Sequence, residues 1–286
     1  MKKFVMLMLS ISMLFVGCGR GAKEGAGSEG EINVVSREDG SGTRGAFIEI
    51  VGIEEKVNGK KVDRTVETAE ISNSTGVVMT TVAGDKYSIG YVSLGSLNDS
   101  VKALNVDGAP ATVEAIKNGS YKVARPFVVV TTKDVDPVAQ DLLNYIYSAE
   151  AAAVIEKAGY IPPETKEYTT TGVAGDIIVG GSSSVTPLME KLVEAYKAVN
   201  PAANVQVQQN DSTTGVNSAI EGVVNLGMAS RDLSEEEISK GAISNVIATD
   251  GIAVIVNKEN IISDITTDEI KGIYVGDITD WSEIGK

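Results

Sequence analysis

Apolar positions in this chain come in short runs whose period changes from one run to the next. Residues 32–35 form a β-branched run of strand character, and residues 46–51 carry a helix-like pattern. Strand-like runs recur at 88–94, 101–106 and 127–131, with a short helix predicted over 112–117. Two helices should follow. One spans about 137–147, with Asp136 as cap and a proline at its first turn; the other spans 149–158, with Ser148 as cap and Gly159 as stop. Residues 164–175, polar and rich in Thr and Gly, read as a connector. The alternation then resumes as strand 176–180, helix 187–199, strand 204–208, helix 214–221 and strand 223–228. Ser234-Glu235-Glu236-Glu237 reads as a capping box for a short helix, and Thr266-Thr267-Asp268-Glu269 as the cap of a last one. Residues 246–256 are apolar but interrupted at Thr249-Asp250-Gly251, and residues 54–73 are polar without a clear period. Alternating strands and helices predict an α/β fold with largely parallel sheets, in which ligands sit beyond the carboxyl ends of the strands.

Three of the strand-to-helix junctions share a chemistry. Ser36-Arg37-Glu38-Asp39-Gly40-Ser41-Gly42-Thr43-Arg44 joins the first strand to the first helix. Gly180-Gly181-Ser182-Ser183-Ser184-Val185-Thr186-Pro187 precedes an amphipathic helix with Leu188, Leu192, Val193 and Tyr196 on one face. Asp211-Ser212-Thr213-Thr214-Gly215-Val216 is the third. Glycines permit close backbone approach, the first N–H groups of a helix have no partner within it, and the helix dipole places partial positive charge there. Such a junction alone is equally a helix cap after a tight turn. Three of them, with hydroxyls and one planar guanidinium, read as an oxyanion site assembled from two sides.

Composition narrows the chemistry. The chain has 286 residues, enough for two domains, and a net charge of −14, which argues against nucleic acid. It has no histidine, which removes histidine-based nucleophile arrangements and histidine metal sites. No carboxylate cluster at metal spacing appears, so no cofactor or metal is expected. The single cysteine, Cys18, cannot form an internal disulfide. It follows Met1-Lys2-Lys3, an apolar run over 4–16 broken by Ser10 and Ser12, and Gly17. That order marks residues 1–17 as a secretory signal, and it resembles a bacterial lipoprotein signal in which Cys18 is lipidated. Phe15 stands where such signals usually carry Leu. Residues 18–30, rich in Gly, Ser and Glu, then read as a flexible tether.

Several stretches together resemble the phosphate-binding protein of bacterial ABC phosphate transporters: residues 35–43 with Arg37-Glu38-Asp39-Gly40-Ser41-Gly42-Thr43, Ile89-Gly90-Tyr91, Gly181-Ser182-Ser183-Ser184-Val185, residues 225–231, residues 250–257 and Ile278-Thr279-Asp280-Trp281-Ser282. The resemblance covers about residues 31–286. It implies a two-lobed periplasmic-binding-protein-like (type II) fold with the ligand in the cleft between lobes, a hinge that closes over it, and inorganic phosphate handed to a membrane permease by a monomer. The stretches stand in an order unlike the family's, where the part like 176–286 precedes the part like 31–170. The chain therefore reads as a circular permutation. One lobe is then expected at 124–252 and the other at 31–123 plus 253–286.

Carried over by motif, the resemblance implies phosphate ligands at Arg37, Ser41, Gly42 and Thr43 from one side, and at Ser182, Ser183, Ser184, Ser212 and Ser230 from the other. Asp39 is expected to hold Arg37, or else to stabilise its own turn, while Glu38 and Arg44 read as solvated. Family members often carry an Asp after a Gly-Ala-Ser turn, which accepts the phosphate proton and so excludes sulfate. Here Ser230 stands at that position, leaving Asp211, with Asp232, as a nearby alternative acceptor. A serine hydroxyl both donates and accepts, so a binding protein for sulfate or molybdate is the alternative. A phosphoester hydrolase is a third reading, and it lacks any evident base.

Overall fold

The computed structural model describes residues 29–285. The predicted signal, Cys18 and most of the tether lie outside them. β1 (Asn33–Arg37) leads through the first polar turn into α1 (Gly42–Ile50). Residues 54–73, without a helical or strand period in the sequence, fold as a β2 (Glu54–Val57) to β3 (Lys60–Asp63) hairpin followed by β4 (Glu70–Ser72). Asn58 and Gly59 both adopt positive φ at the hairpin turn, as an Asn-Gly pair does readily. α2 (Thr75–Gly84) was not predicted; its Thr- and Val-rich sequence has no polar face to reveal a period. β5 (Ser88–Ser93), β6 (Lys102–Ala103), β7 (Asn105–Val106) and α3 (Val113–Lys117) complete this part.

β8 (Ala124–Thr131) follows, then α4 (Pro137–Ile146) and α5 (Ala149–Lys157), capped by Asp136 and Ser148 as predicted. β9 (Gly175–Ser182), α6 (Thr186–Val199), β10 (Ala203–Asn210), α7 (Ser212–Ile220) and β11 (Leu226–Ala229) match the second alternation to within a few residues. α8 (Glu235–Ser239) has the predicted capping box, as does α9 (Thr267–Val275), which follows β12 (Ile243–Val256) and β13 (Asp264–Ile265).

One sheet runs β10-β9-β11-β8-β12-β5-β1-β4. Its outer pairs are parallel, β9 with β10 and β11, and β1 with β4 and β5. Its centre is antiparallel, because β8 and β12 carry the chain across the middle in opposite directions. The sheet is therefore mixed, not largely parallel. β12 pairs with β8 as far as Gly251 opposite Ala124, and with β5 from Ile252 opposite Ser93. β12 runs without a break through the polar Thr249-Asp250-Gly251. Asp250 finds Arg125 as its register partner, and a β-bulge shifts the register between Val246 and Ala248.

The apolar cores divide at this crossing. Two clusters draw on residues between Ile32 and Val123 together with residues 252–284. They include Phe47 stacked on Tyr91 at 4.0 Å between centroids. Two others draw only on residues between Phe127 and Ala248. Each half thus excludes its own water, and only β8 and β12 run between them. The first half closes on itself where Gly30–Ile32 meets Thr279–Trp281: Trp281 N–H donates to the Gly30 carbonyl at 3.0 Å and Ile32 N–H to the Thr279 carbonyl at 2.8 Å.

Candidate functional site

Strand ends and helix starts from both halves converge at one place. β1 ends at Arg37 before α1, β4 at Ser72 before α2, β9 at Ser182 before α6 and β10 at Asn210 before α7. Helix N-termini leave N–H groups unpaired and carry partial positive charge, so this geometry favours an anion. A layer of hydroxyls lies among them, none more than 6% exposed: Ser41, Thr43, Ser72, Thr75, Ser182, Ser183, Ser184, Ser212 and Ser230.

The hydroxyls bond to one another both across the halves and within them. Thr43 Oγ1 and Ser184 Oγ are 2.8 Å apart, and Thr75 Oγ1 is 3.1 Å from the same Ser184 oxygen. Ser182 Oγ donates to Ser230 Oγ at 3.0 Å, and Ser230 N–H donates to Ser212 Oγ at 3.1 Å. Arg37, 2% exposed, donates from Nη2 to Ser183 Oγ at 2.9 Å. Its Nη1 is buried with no hydrogen-bond partner among the described residues, as is Ser72 Oγ. Buried polar groups are almost always paired, so two orphans in one small layer mark a place built to hold something polar. At the rim, Thr213 N–H reaches the Gly40 carbonyl at 3.1 Å. A groove of about 850 Å³ runs beside this layer along α1 and residues 231–236. Because the cross-half bonds close the layer itself, its chemistry, not cavity size, locates the site.

The sequence-predicted residues are placed as follows. Arg37, Gly42, Thr43, Ser182, Ser183, Ser184, Ser212 and Ser230 all lie in the layer, and Ser41 caps α1, accepting from Arg44 N–H. Asp39 does not hold Arg37. It is exposed at the turn and pairs with Arg44 at 2.9 Å. The adjacent, longer Glu38 takes the Arg37 fork, with 2.8 Å contacts to Nε and Nη2. Neither Glu38 nor Arg44 is therefore merely solvated; Arg44 also pairs with Asp63 at 2.8 Å. Asp211 caps α7, accepting from Thr214 N–H and Oγ1 at 2.8 and 2.6 Å. Asp232 lines the groove beside the layer. Glu38 balances Arg37, so the layer is close to neutral and its binding power is that of oriented N–H and O–H dipoles.

Ser72 and Thr75 were missed. Ser72-Asn73-Ser74-Thr75-Gly76 has the same hydroxyl-and-glycine composition as the three recognised junctions and could have been found by it. Behind the layer lies a buried ion pair, Arg125 with Asp250 at 3.2 Å, with side chains 1% and 0% exposed. Burial pushes Asp250 up to about 6 even though Arg125 and hydrogen bonds from Ser93 and Gly95 pull it down. Among the described residues, no group of three or more Cys, Asp or Glu is placed to hold a metal ion.

Comparison with known proteins agrees with this geometry. The model of the PBP superfamily domain matches residues 21–150 and 166–286. A phosphate-binding protein PstS 2 of Streptococcus agalactiae is 50% identical over 295 residues, covering all of this chain and all of that protein. A phosphate-binding protein PstS 2 of Streptococcus pneumoniae is 42% identical over 272 residues, 94% of this chain and 93% of that one. A crystal structure of a phosphate-binding protein of a phosphate ABC transporter from Streptococcus pneumoniae superposes with a TM-score of 0.71 at 43% identity, covering 89% of this chain and 100% of that one. The chain belongs to the PBP superfamily and, within it, to the phosphate-binding proteins of ABC phosphate transporters.

Proposed function

We propose that this protein binds inorganic phosphate between the two halves of its sheet and delivers it to the permease of an ABC transporter. The observation that carries the reading is the convergence of four helix N-termini and Arg37 on one buried hydroxyl layer. In this reading Arg37, Ser41, Gly42 and Thr43 hold the anion from one side. Ser182, Ser183, Ser184, Ser212 and Ser230 hold it from the other, with Ser72 and Thr75 added to the first side. Residues 31–123 plus 253–286 act as one lobe and 124–252 as the other, closing about β8 and β12. Segregated cores and the short cross-half bonds support that division, since a closure needs two rigid bodies and few connections.

The relatives' names support phosphate as ligand and transport as role. The basic, then apolar, Gly17-Cys18 start supports a lipid anchor at Cys18 and a place outside the membrane. The contact of residues 30–32 with 279–281 supports the permuted order, since it joins the two stretches that run on from each other in the family pattern. The end-to-end streptococcal match supports that order being natural. The protein acts as a monomeric binder, not an enzyme: a hydrolase would need a free base beside the anion, and the layer's carboxylate, Glu38, is occupied by Arg37.

One observation favours a second reading, a binder of sulfate or another tetrahedral oxyanion. Ser230 offers a hydroxyl where a carboxylate would accept the proton that phosphate carries and sulfate lacks. Small-angle scattering with and without phosphate, run beside incubation with a phosphate ester, tests the proposal. It predicts a more compact particle with phosphate and no phosphate released from the ester; steady release would replace binding with catalysis.

A further inference from the structure

Arg125 and Asp250 stand opposite one another on β8 and β12, one register step before the point where β12 leaves β8 for β5. Arg125 Nη2 donates to Asp250 Oδ2 at 3.2 Å. The second Asp250 oxygen accepts from Ser93 Oγ at 3.0 Å and from Gly95 N–H at 3.4 Å, both at the end of β5. The other arm of the guanidinium, Nη1, donates to the backbone carbonyl of Ser230 at 3.1 Å. One ion pair therefore ties the two crossing strands, the end of β5 in one half and the Ser230 turn in the other.

Stability does not explain such a pair. Taking two charges out of water costs about as much as their attraction returns, and apolar residues of the same volume often do as well or better. Removal of one partner alone is costly, because it strands the other charge. What the pair does supply is direction. Ser230 contributes a hydroxyl to the buried layer, its N–H donates to Ser212 Oγ, and its carbonyl is held from behind by Arg125. Arg125 Nε has no hydrogen-bond partner among the described residues, and the guanidinium is steadied instead by the Phe127 ring, 5.4 Å from its carbon.

We propose that Arg125, held by Asp250, is a positioning residue for the anion site, fixing the Ser230 carbonyl so that the Ser230 hydroxyl stays aimed at the ligand when the halves close. The inference rests on the phosphate-binding reading, and it assigns to the strand crossing a part in affinity. It also accounts for a charge pair buried where a hinge would otherwise be served by apolar residues.

The test is a set of calorimetric titrations with inorganic phosphate on purified protein: wild type, Arg125→Met, Arg125→Lys and Asp250→Asn, each also in a Ser230→Ala background. Positioning through Ser230 predicts that Arg125→Met weakens binding about tenfold or more in the wild-type background. In the Ser230→Ala background it should weaken binding by less than threefold. Arg125→Lys, which keeps charge but loses the two-armed fork, should fall between. Equal losses in both backgrounds, or no loss, would overturn the inference. Should Arg125→Met fail to fold, Asp250→Asn decides instead. It keeps shape and leaves Arg125 in place, and an affinity unchanged from wild type would overturn the inference equally. A wild-type protein that binds no phosphate overturns the functional reading instead; if it takes sulfate, the same cycle is read on sulfate.

Discussion

Gly42 faces Ser212 across the two halves so closely that a Cβ on Gly42 would lie 2.4 Å from Ser212 Oγ and 2.8 Å from Ser230 Oγ. Gly42 is the first residue of α1, and its φ is not in the left-handed region, so space, not backbone conformation, requires the glycine. Gly42→Ala is accordingly expected to fold normally but to hold the halves apart. Phosphate affinity should drop at least tenfold with the melting temperature within a few degrees of wild type. Calorimetry beside a thermal melt checks both.

Arg37 brings the formal positive charge of the hydroxyl layer, and its Nη1 is one of the layer's two unpartnered buried atoms. A hydrogen bond to a charged group contributes roughly 1.5–3 kcal/mol, so Arg37→Gln should weaken phosphate binding about 10- to 100-fold. Arg37→Lys should recover only part of that, because an ammonium cannot serve Glu38, Ser183 and an anion with one planar fork. Equilibrium dialysis with labelled phosphate measures both.

The junctions that form the site were legible in the sequence because each pairs a short apolar run with glycine and hydroxyls before a helical pattern. The Ser182-Ser183-Ser184 turn and Ser212 are examples. Ser72 and Thr75 escaped because α2 is apolar on all sides and gives no period, so the junction before it had no recognised helix to open. The pairing of Arg37 with Glu38 instead of Asp39 depends on which way β1 leaves its sheet, a tertiary fact. Arg125 and Asp250, 125 residues apart, meet only through strand register, and in the sequence Asp250 looked like a break in an apolar run.

Ser230 makes selectivity a question of one side chain. Ser230→Asp places an acceptor-only group in the layer, and a carboxylate beside a fully ionised sulfate has no proton to share. The variant should lose sulfate binding more than phosphate binding, shifting the ratio toward phosphate by about tenfold or more. Competition titrations at neutral pH read that ratio directly.

Burial raises the Asp250 carboxyl to about 6 in the folded protein, against about 3.9 for an unfolded aspartate. The folded state therefore binds the proton more tightly, and ionising Asp250 costs stability that is recovered as pH falls through 6 toward 4. The groups facing it are Arg125, Arg37 beyond it, and Tyr121 and Tyr160, whose hydroxyls burial keeps neutral. Asp63, Asp141 and Glu237 act oppositely, since burial is outweighed there by hydrogen bonds that hold them below the usual range, and their contribution is lost on acidification. Asp250→Asn isolates the one effect. Between pH 7.5 and pH 5 wild type should gain about 1 kcal/mol relative to the variant, measured by urea unfolding at each pH.

The most direct measurement is calorimetric titration of the purified protein with phosphate and, separately, with sulfate at pH 8. Binding of one phosphate per chain is the predicted result. Weaker but measurable sulfate binding is also predicted, because the layer offers hydroxyls where a carboxylate would reject it. No heat with either anion would contradict the claim that the buried hydroxyl layer around Arg37 is an oxyanion site.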